Sequence, residues 1–232
     1  MRSANRKITH LFVTSQAVKP FYEEAFAVPP ERIYPTGIPV TDIYFDEERI
    51  CQRKSSFYQK YPELASKKIL LYAPTFRRTD EENRQIMDRF DAERIHQILG
   101  DEWVILIRMH PKFPVENLPQ NKYCYNMTDY NDITDLYLVS DLFITDYSSS
   151  VVEYALLDKP ILLFAYDLAE YDRGFYFDYE NMMPGQIAHT QTELYELLQN
   201  NCDNLPKRQN FVKFQYDNMK GDACGRILDI LG

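Results

Sequence analysis

Five short runs, residues 10–13, 69–72, 104–107, 142–145 and 161–164, are apolar almost throughout and bounded by polar or turn-forming residues. A run of that length without polar alternation predicts a strand covered on both faces, as the strands of a parallel sheet are. Residues 123–125 form a weaker sixth. Between the runs, helical periodicity covers residues 17–26, 47–61, 90–99, 133–139, 149–157, 193–198 and 211 to the end, with Pro29 and Pro30 closing off the first. Alternation of this kind predicts an α/β chain with a doubly wound parallel sheet, in which ligands bind outside the carboxyl ends of the strands.

Composition narrows the function classes. A net charge of -9 does not suit a surface for nucleic acid, so any phosphate chemistry must come from a local cationic cluster. Cys51, Cys124, Cys202 and Cys224 lack the paired short spacing of zinc sites or redox dithiols and are expected to be reduced thiols of a cytoplasmic protein. No apolar run reaches the roughly 18 residues of a membrane span, and the N-terminus has no signal-peptide core.

The residues after each strand carry the chemistry. The run at 69 leads into Thr75-Phe76-Arg77-Arg78, and the run at 104 into Arg108-Met109-His110-Pro111-Lys112. The run at 142 leads into Asp146-Tyr147-Ser148-Ser149-Ser150 and a helix, and the run at 161 into a long loop with Asp167, Tyr171 and Arg173. Four such strand ends are expected to meet at one crevice. Serines at a helix start either cap it or share its N–H groups with an anion. The helix dipole alone contributes about 0.3–1 kcal/mol, so a diphosphate needs charge-assisted hydrogen bonds of about 1.5–3 kcal/mol each. Arg77, Arg108, His110, Lys112 and Arg173 are the available donors.

Each of these residues also has an ordinary structural explanation. Arg78 is expected to pair with Asp80, Glu81 or Glu82 on a solvated loop. His110 before a proline is either structural or functional, and its place at a strand end favours function. Glu153, one turn into the helix after the serines, either pairs locally or hydrogen-bonds ribose hydroxyls. The aromatic loop at 171–180 is expected to be a substrate-facing lid, the alternative being a loop packed on its own rings.

Three segments together resemble the CDP-glycerol glycerophosphotransferases of teichoic acid and capsule synthesis. They are Tyr72-Ala73-Pro74-Thr75-Phe76-Arg77, Arg108-Met109-His110-Pro111 and Asp141-Leu142-Phe143-Ile144-Thr145-Asp146-Tyr147-Ser148-Ser149. The likeness continues through Val152-Glu153-Tyr154, Asp158-Lys159-Pro160 and Tyr171-Asp172-Arg173-Gly174-Phe175-Tyr176, while Val40 stands where the family often has an arginine.

The resemblance implies the C-terminal, Rossmann-like half of a GT-B fold. Residues 1–36 would be a remnant of the N-terminal half and the crossover, and residues 37–232 the CDP-donor domain. It implies transfer of glycerol phosphate or ribitol phosphate from CDP-glycerol or CDP-ribitol to a polymer or lipid-linked acceptor, the acceptor being held by the other half. His110 would be catalytic, polarising the donor phosphate or protonating the CMP oxygen. Thr75, Arg77, Arg108, Lys112, Asp146, Ser148, Ser149, Glu153 and Arg173 would bind the donor. No metal ligand set is implied, and a divalent cation is left open. The expected location is the cytoplasm, with at most peripheral contact at the inner face of the plasma membrane. A non-catalytic nucleotide-binding or scaffold module, and a GT-B enzyme for UDP-linked sugars, are the alternatives; competition between CDP and UDP separates the last.

Overall fold

The computed structural model describes residues 7–111, 118–171, 174–200, 203–217 and 219–232. Strands β1 (Leu11–Val13) and β2 (Ile33–Pro35) pair in parallel as a small sheet of their own. The other described strands are β3 (Lys68–Tyr72), β4 (Trp103–Ile107), β5 (Cys124–Asn126), β6 (Leu142–Thr145), β7 (Ile161–Phe164) and β8 (Gln186–Ala188). They form one six-stranded sheet, ordered β5-β4-β3-β6-β7-β8, with each neighbouring pair parallel. The α/β class expected from the sequence is the class observed.

The helices are α1 (Lys19–Phe26), α2 (Glu47–Lys60), α3 (Asp80–Arg89), α4 (Ala92–Leu99), α5 (Ile133–Val139), α6 (Ser150–Tyr154), α7 (Tyr179–Met182), α8 (Gln191–Gln199), α9 (Leu205–Tyr216) and α10 (Ala223–Leu231). Because successive strand residues point to opposite faces, each apolar run feeds two cores. Ile69, Leu71, Val104, Leu106, Phe143, Ile161 and Leu163 pack with Phe57 of α2, Leu136 of α5, Val151 of α6 and Phe211 of α9. Leu70, Tyr72, Ile105, Ile107, Ile144, Leu162 and Phe164 pack with Ile86 of α3, Ile95 of α4 and Leu194 of α8. Each such side chain contributes about 1.5–3 kcal/mol by leaving water, which is why runs without polar alternation settle at the centre of the sheet.

Strand order fixes where a ligand can enter. From β3 the chain moves outward through β4 and β5, then returns on the other side of β3 as β6. The connections leaving these two adjacent strands therefore diverge to opposite faces, opening a crevice at their carboxyl ends. Past the last ladder pair, the two chains stay joined by Ala73 N donating to Ile144 O (3.1 Å) and Thr145 Oγ1 donating to Ala73 O (2.8 Å).

Several elements differ from the sequence expectation. Helix α3 occupies what was read as a solvated acidic loop, because Thr79 and Glu82 form a capping box and Ile86 reaches the core. Phe90 consequently ends α3 instead of opening the next helix, which begins at Ala92. Strands β2 and β8 were not anticipated, as three residues of mixed polarity give no periodic signal. The expected C-terminal helix from Phe211 is two helices, broken where Asp217 (φ 49°) and Gly221 (φ 75°) take left-handed backbone. That break lets Asp42 cap the start of α10, accepting from Ala223 N (2.9 Å) and Cys224 N (3.0 Å). The end of α9 meets the small sheet's unit, where Ser15 Oγ donates to Phe214 O (2.7 Å) and Gln16 N to Asp217 Oδ2 (2.7 Å).

Candidate functional site

The ends of β3, β4 and β6 enclose a cleft of about 460 Å³. Thr75 enters it from β3, Arg108 and His110 from β4, Tyr147, Ser148 and Ser149 from β6, and Tyr171 from the loop after β7. Five residues singled out from the sequence, Thr75, Arg108, His110, Ser148 and Ser149, thus line one cavity. Lys112 and Arg173 lie outside the described residues.

Arg108 is the least compensated group in this cleft. Its backbone N donates to Tyr72 O (2.9 Å), which anchors the residue at the strand end, and Nη2 donates to Tyr130 O (3.1 Å). Nε is buried with no hydrogen-bond partner, and among the described residues the guanidinium makes no salt bridge. Burial pushes its pKa down from the ordinary arginine value, with Tyr137 and Asp132 acting weakly the other way. A half-buried cation that lines the cavity and makes no ion pair among the described residues is arranged for an anion.

His110 packs its ring against Phe76, with centroids 4.7 Å apart. At the serines, Ser150 N donates to Ser148 Oγ (3.2 Å), whereas the exposed Ser149 side chain makes no cap hydrogen bond although it precedes α6. Thr75 Oγ1 is buried with no aligned partner, close to the Asp146 carboxylate.

Asp146 and Arg77 stand behind this wall and do not line the cleft. Asp146 Oδ1 accepts from Thr75 N (2.8 Å) and Tyr147 N (2.6 Å), tying β3 to β6 beyond the sheet. Its Oδ2 lies 2.9 Å from Arg77 Nη2, a charge contact without hydrogen-bond alignment. Arg77 also grips Asp167 with two nitrogens, Nε to Oδ2 at 2.6 Å and Nη2 to Oδ1 at 3.0 Å. Burial works against the Arg77 charge, but Asp146 and Asp167 outweigh it and its pKa rises; burial lifts that of Asp146 despite Arg77. Arg77 is therefore committed to two carboxylates, unlike Arg108.

Asp167 also accepts from Tyr147 Oη (2.9 Å), and burial followed by the Asp167 charge pushes the phenol pKa up, so it remains a donor. Tyr147 stacks on Tyr171 (4.2 Å, 25°), which stacks on Phe175 (5.3 Å). Phe175 meets Tyr179 (4.7 Å), whose hydroxyl donates to Asp146 O (2.9 Å). Among the described residues the rings of this loop thus pack on one another, the alternative to the expected lid, and Tyr171 forms one wall of the cleft. Tyr147 and Asp167 were not singled out from the sequence as site residues; their position after β6 and β7 was the available signal.

Glu153 lies outside the cleft lining and accepts from Tyr44 Oη (3.0 Å). Burial raises its pKa, the Tyr44 hydrogen bond opposes this, and Asp132 adds to it. A second cavity, of about 500 Å³, adjoins the first and shares Phe76 and Tyr171 with it. It holds Arg77, Arg78, Arg89 and Tyr166 beside Glu82, Asp167 and Glu170, a mixture close to charge balance. Among the described residues no group of three or more His, Cys, Asp or Glu is placed to hold a metal, and no helix is long and apolar enough to cross a membrane.

Fold and cleft together define a Rossmann-like half of the GT-B class, with its opening at the switch point of the sheet. UDP-N-acetylglucosamine 2-epimerase from Neisseria meningitidis shares this fold at a TM-score of 0.58 and 15% identity, over 96% of this chain and 61% of that one. A model of the CDP-Glycerol:Poly(glycerophosphate) glycerophosphotransferase family matches residues 1–231, and the chain belongs to that family.

It is similar to the teichoic acid poly(ribitol-phosphate) polymerase of Bacillus spizizenii, 35% identical over 231 residues, covering 97% of this chain and 37% of that protein. It is likewise 35% identical over 183 residues to the teichoic acid glycerol-phosphate transferase of Staphylococcus aureus, covering 76% of this chain and 47% of that one. The solved wall teichoic acid polymerase TagF, soaked with CDPG, superposes at a TM-score of 0.79 with 27% identity, over 99% of this chain and 59% of that one. The chain therefore spans about two fifths to three fifths of the length of these relatives.

Proposed function

We propose that this chain supplies the donor-binding half of a transferase that moves glycerol phosphate or ribitol phosphate from a CDP-activated donor to a growing polymer. The observation that carries the reading is Arg108, a half-buried cation without an ion pair among the described residues, lining the switch-point cleft beside His110 and the serines. A diphosphate there would take hydrogen bonds from Arg108, Ser148, Ser149 and Thr75, with Lys112 and Arg173 as further cations. Arg77 and Asp146 would shape the pocket from behind, and Glu153 would stand toward the nucleoside.

In the reaction, a polymer-terminal hydroxyl oxygen attacks the polyol-bearing phosphorus of the donor. The bond from that phosphorus to the bridging oxygen breaks, the hydroxyl proton passes to solvent water, and CMP departs with the bridging oxygen. His110 polarises the phosphate or gives a proton to that oxygen. Residues 37–232 would carry the donor site, with residues 1–36 belonging to an acceptor half that holds a polymer or lipid-linked acceptor. Any membrane contact would be peripheral and would come through that half.

The test is calorimetric titration of the chain with CDP, followed by competition with UDP. Saturable binding of CDP, displaced poorly by UDP, is expected. Absence of binding up to millimolar CDP with the fold intact refutes the reading, and preference for UDP moves the chain to nucleotide-sugar chemistry.

A further inference from the structure

We infer that Asp167 is a positioning residue of the donor cleft, an inference that rests on the donor-binding reading above. The argument begins with a charge imbalance. Arg77, Asp146 and Asp167 form a buried cluster, with side chains 10%, 2% and 19% exposed, that joins the ends of β3, β6 and β7. One cation faces two carboxylates within it, so the cluster has no surplus positive charge behind the cleft wall. It gives a diphosphate no added attraction, so attraction of the ligand is not its use.

Its geometry gives the use. Tyr147 is pinned at both ends, its amide by Asp146 (2.6 Å) and its hydroxyl by Asp167 (2.9 Å), and Arg77 bridges the two carboxylates. Ser148 and Ser149 continue directly from that pinned residue into the cleft, and Tyr171 leans on its ring at 4.2 Å. Asp167 thus holds the orientation of the serine turn and of the aromatic wall without lining the cleft itself. Sub-ångström placement of donors decides how well they meet a phosphate, so a residue that fixes this turn controls recognition of the diphosphate.

Charge and position predict opposite outcomes for Asp167→Asn, which removes one negative charge and loosens the clamp. CDP and CMP are titrated into the wild-type chain, D167N, Y147F and the control E170Q, with thermal melts of each. Positioning predicts that D167N weakens CDP about tenfold, the worth of one charge-assisted hydrogen bond, and lowers the CDP-to-CMP affinity ratio. Y147F, which keeps every charge, should move the ratio the same way, and E170Q, exposed and outside this cleft, should leave it unchanged.

A D167N chain that binds CDP more tightly, or a ratio that stays constant while only the melting temperature falls, overturns the inference. Should D167N fail to fold, Y147F decides alone: an unchanged ratio there overturns it. Failure of the wild-type chain to bind CDP at all is distinguishable, because it removes the donor-binding reading itself.

Discussion

Replacing Arg108 with methionine separates stability from ligand recognition in a way few site substitutions can. Among the described residues the guanidinium makes one hydrogen bond, Nη2 to Tyr130 O at 3.1 Å, and its buried Nε has no partner. Losing the made bond costs about 1 kcal/mol, while removing a half-buried charge with no salt bridge returns a similar amount. Methionine fills nearly the same apolar path, so the melting temperature should move by only a few degrees, in either direction.

Binding should respond very differently. A fork of two charge-assisted bonds to phosphate is lost; allowing for the guanidinium's desolvation, a net of about 3 kcal/mol corresponds to roughly 150-fold in Kd for CDP. Arg108→Lys, which keeps the charge without the fork, should fall between. Calorimetry of CDP binding beside differential scanning calorimetry measures both quantities. A variant that binds CDP as well as wild type, or one whose affinity falls only in step with its stability, refutes the assignment of Arg108 to the anion.

Glu153 gives a pH-dependent test. Its folded pKa is raised, so its contribution to stability is full below the ordinary carboxylate range and is lost as pH rises through the raised value. Glu153→Gln keeps an acceptor for Tyr44 and should flatten that part of the stability curve, ending more stable than wild type at neutral pH; parallel curves would contradict this. Gly185→Ala should destabilise the chain by about 1–3 kcal/mol, because a Cβ there would stand 2.2 Å from Ile161 O and push β8 away from β7. Urea denaturation reads that loss, and an unchanged midpoint would show that the edge strand yields freely. Lys159→Met removes the ammonium that donates to Leu138 O (2.8 Å) and Ser140 O (2.6 Å) at the end of α5, and should lower stability by about 2–4 kcal/mol in the same assay.

The sequence by itself determined the class of fold and the set of strand ends to inspect. Apolar runs such as Ile69-Leu70-Leu71-Tyr72 call for cover on both faces, and their alternation with amphipathic helical stretches assigns them to a parallel sheet. The polar residues following those runs were legible for the same reason, which is how Thr75, Arg108, His110, Ser148 and Ser149 were found before their meeting point was known. The short edge strands β2 and β8 escaped because their formation depends on a neighbour's free edge, and three residues carry no period of their own.

What only the tertiary structure decided is which charges are already spent. Arg77 and Arg108 read alike in the sequence, each a basic residue just past a buried strand. Strand order then sets β3 beside β6 and β6 beside β7, where Asp146 and Asp167 neutralise Arg77, and leaves Arg108 at the end of β4 without an ion pair among the described residues. Carboxylates 69 and 90 positions away along the chain from Arg77 cannot be assigned to it by any local pattern, since an ion pair depends on distance in space and on the burial that strengthens it.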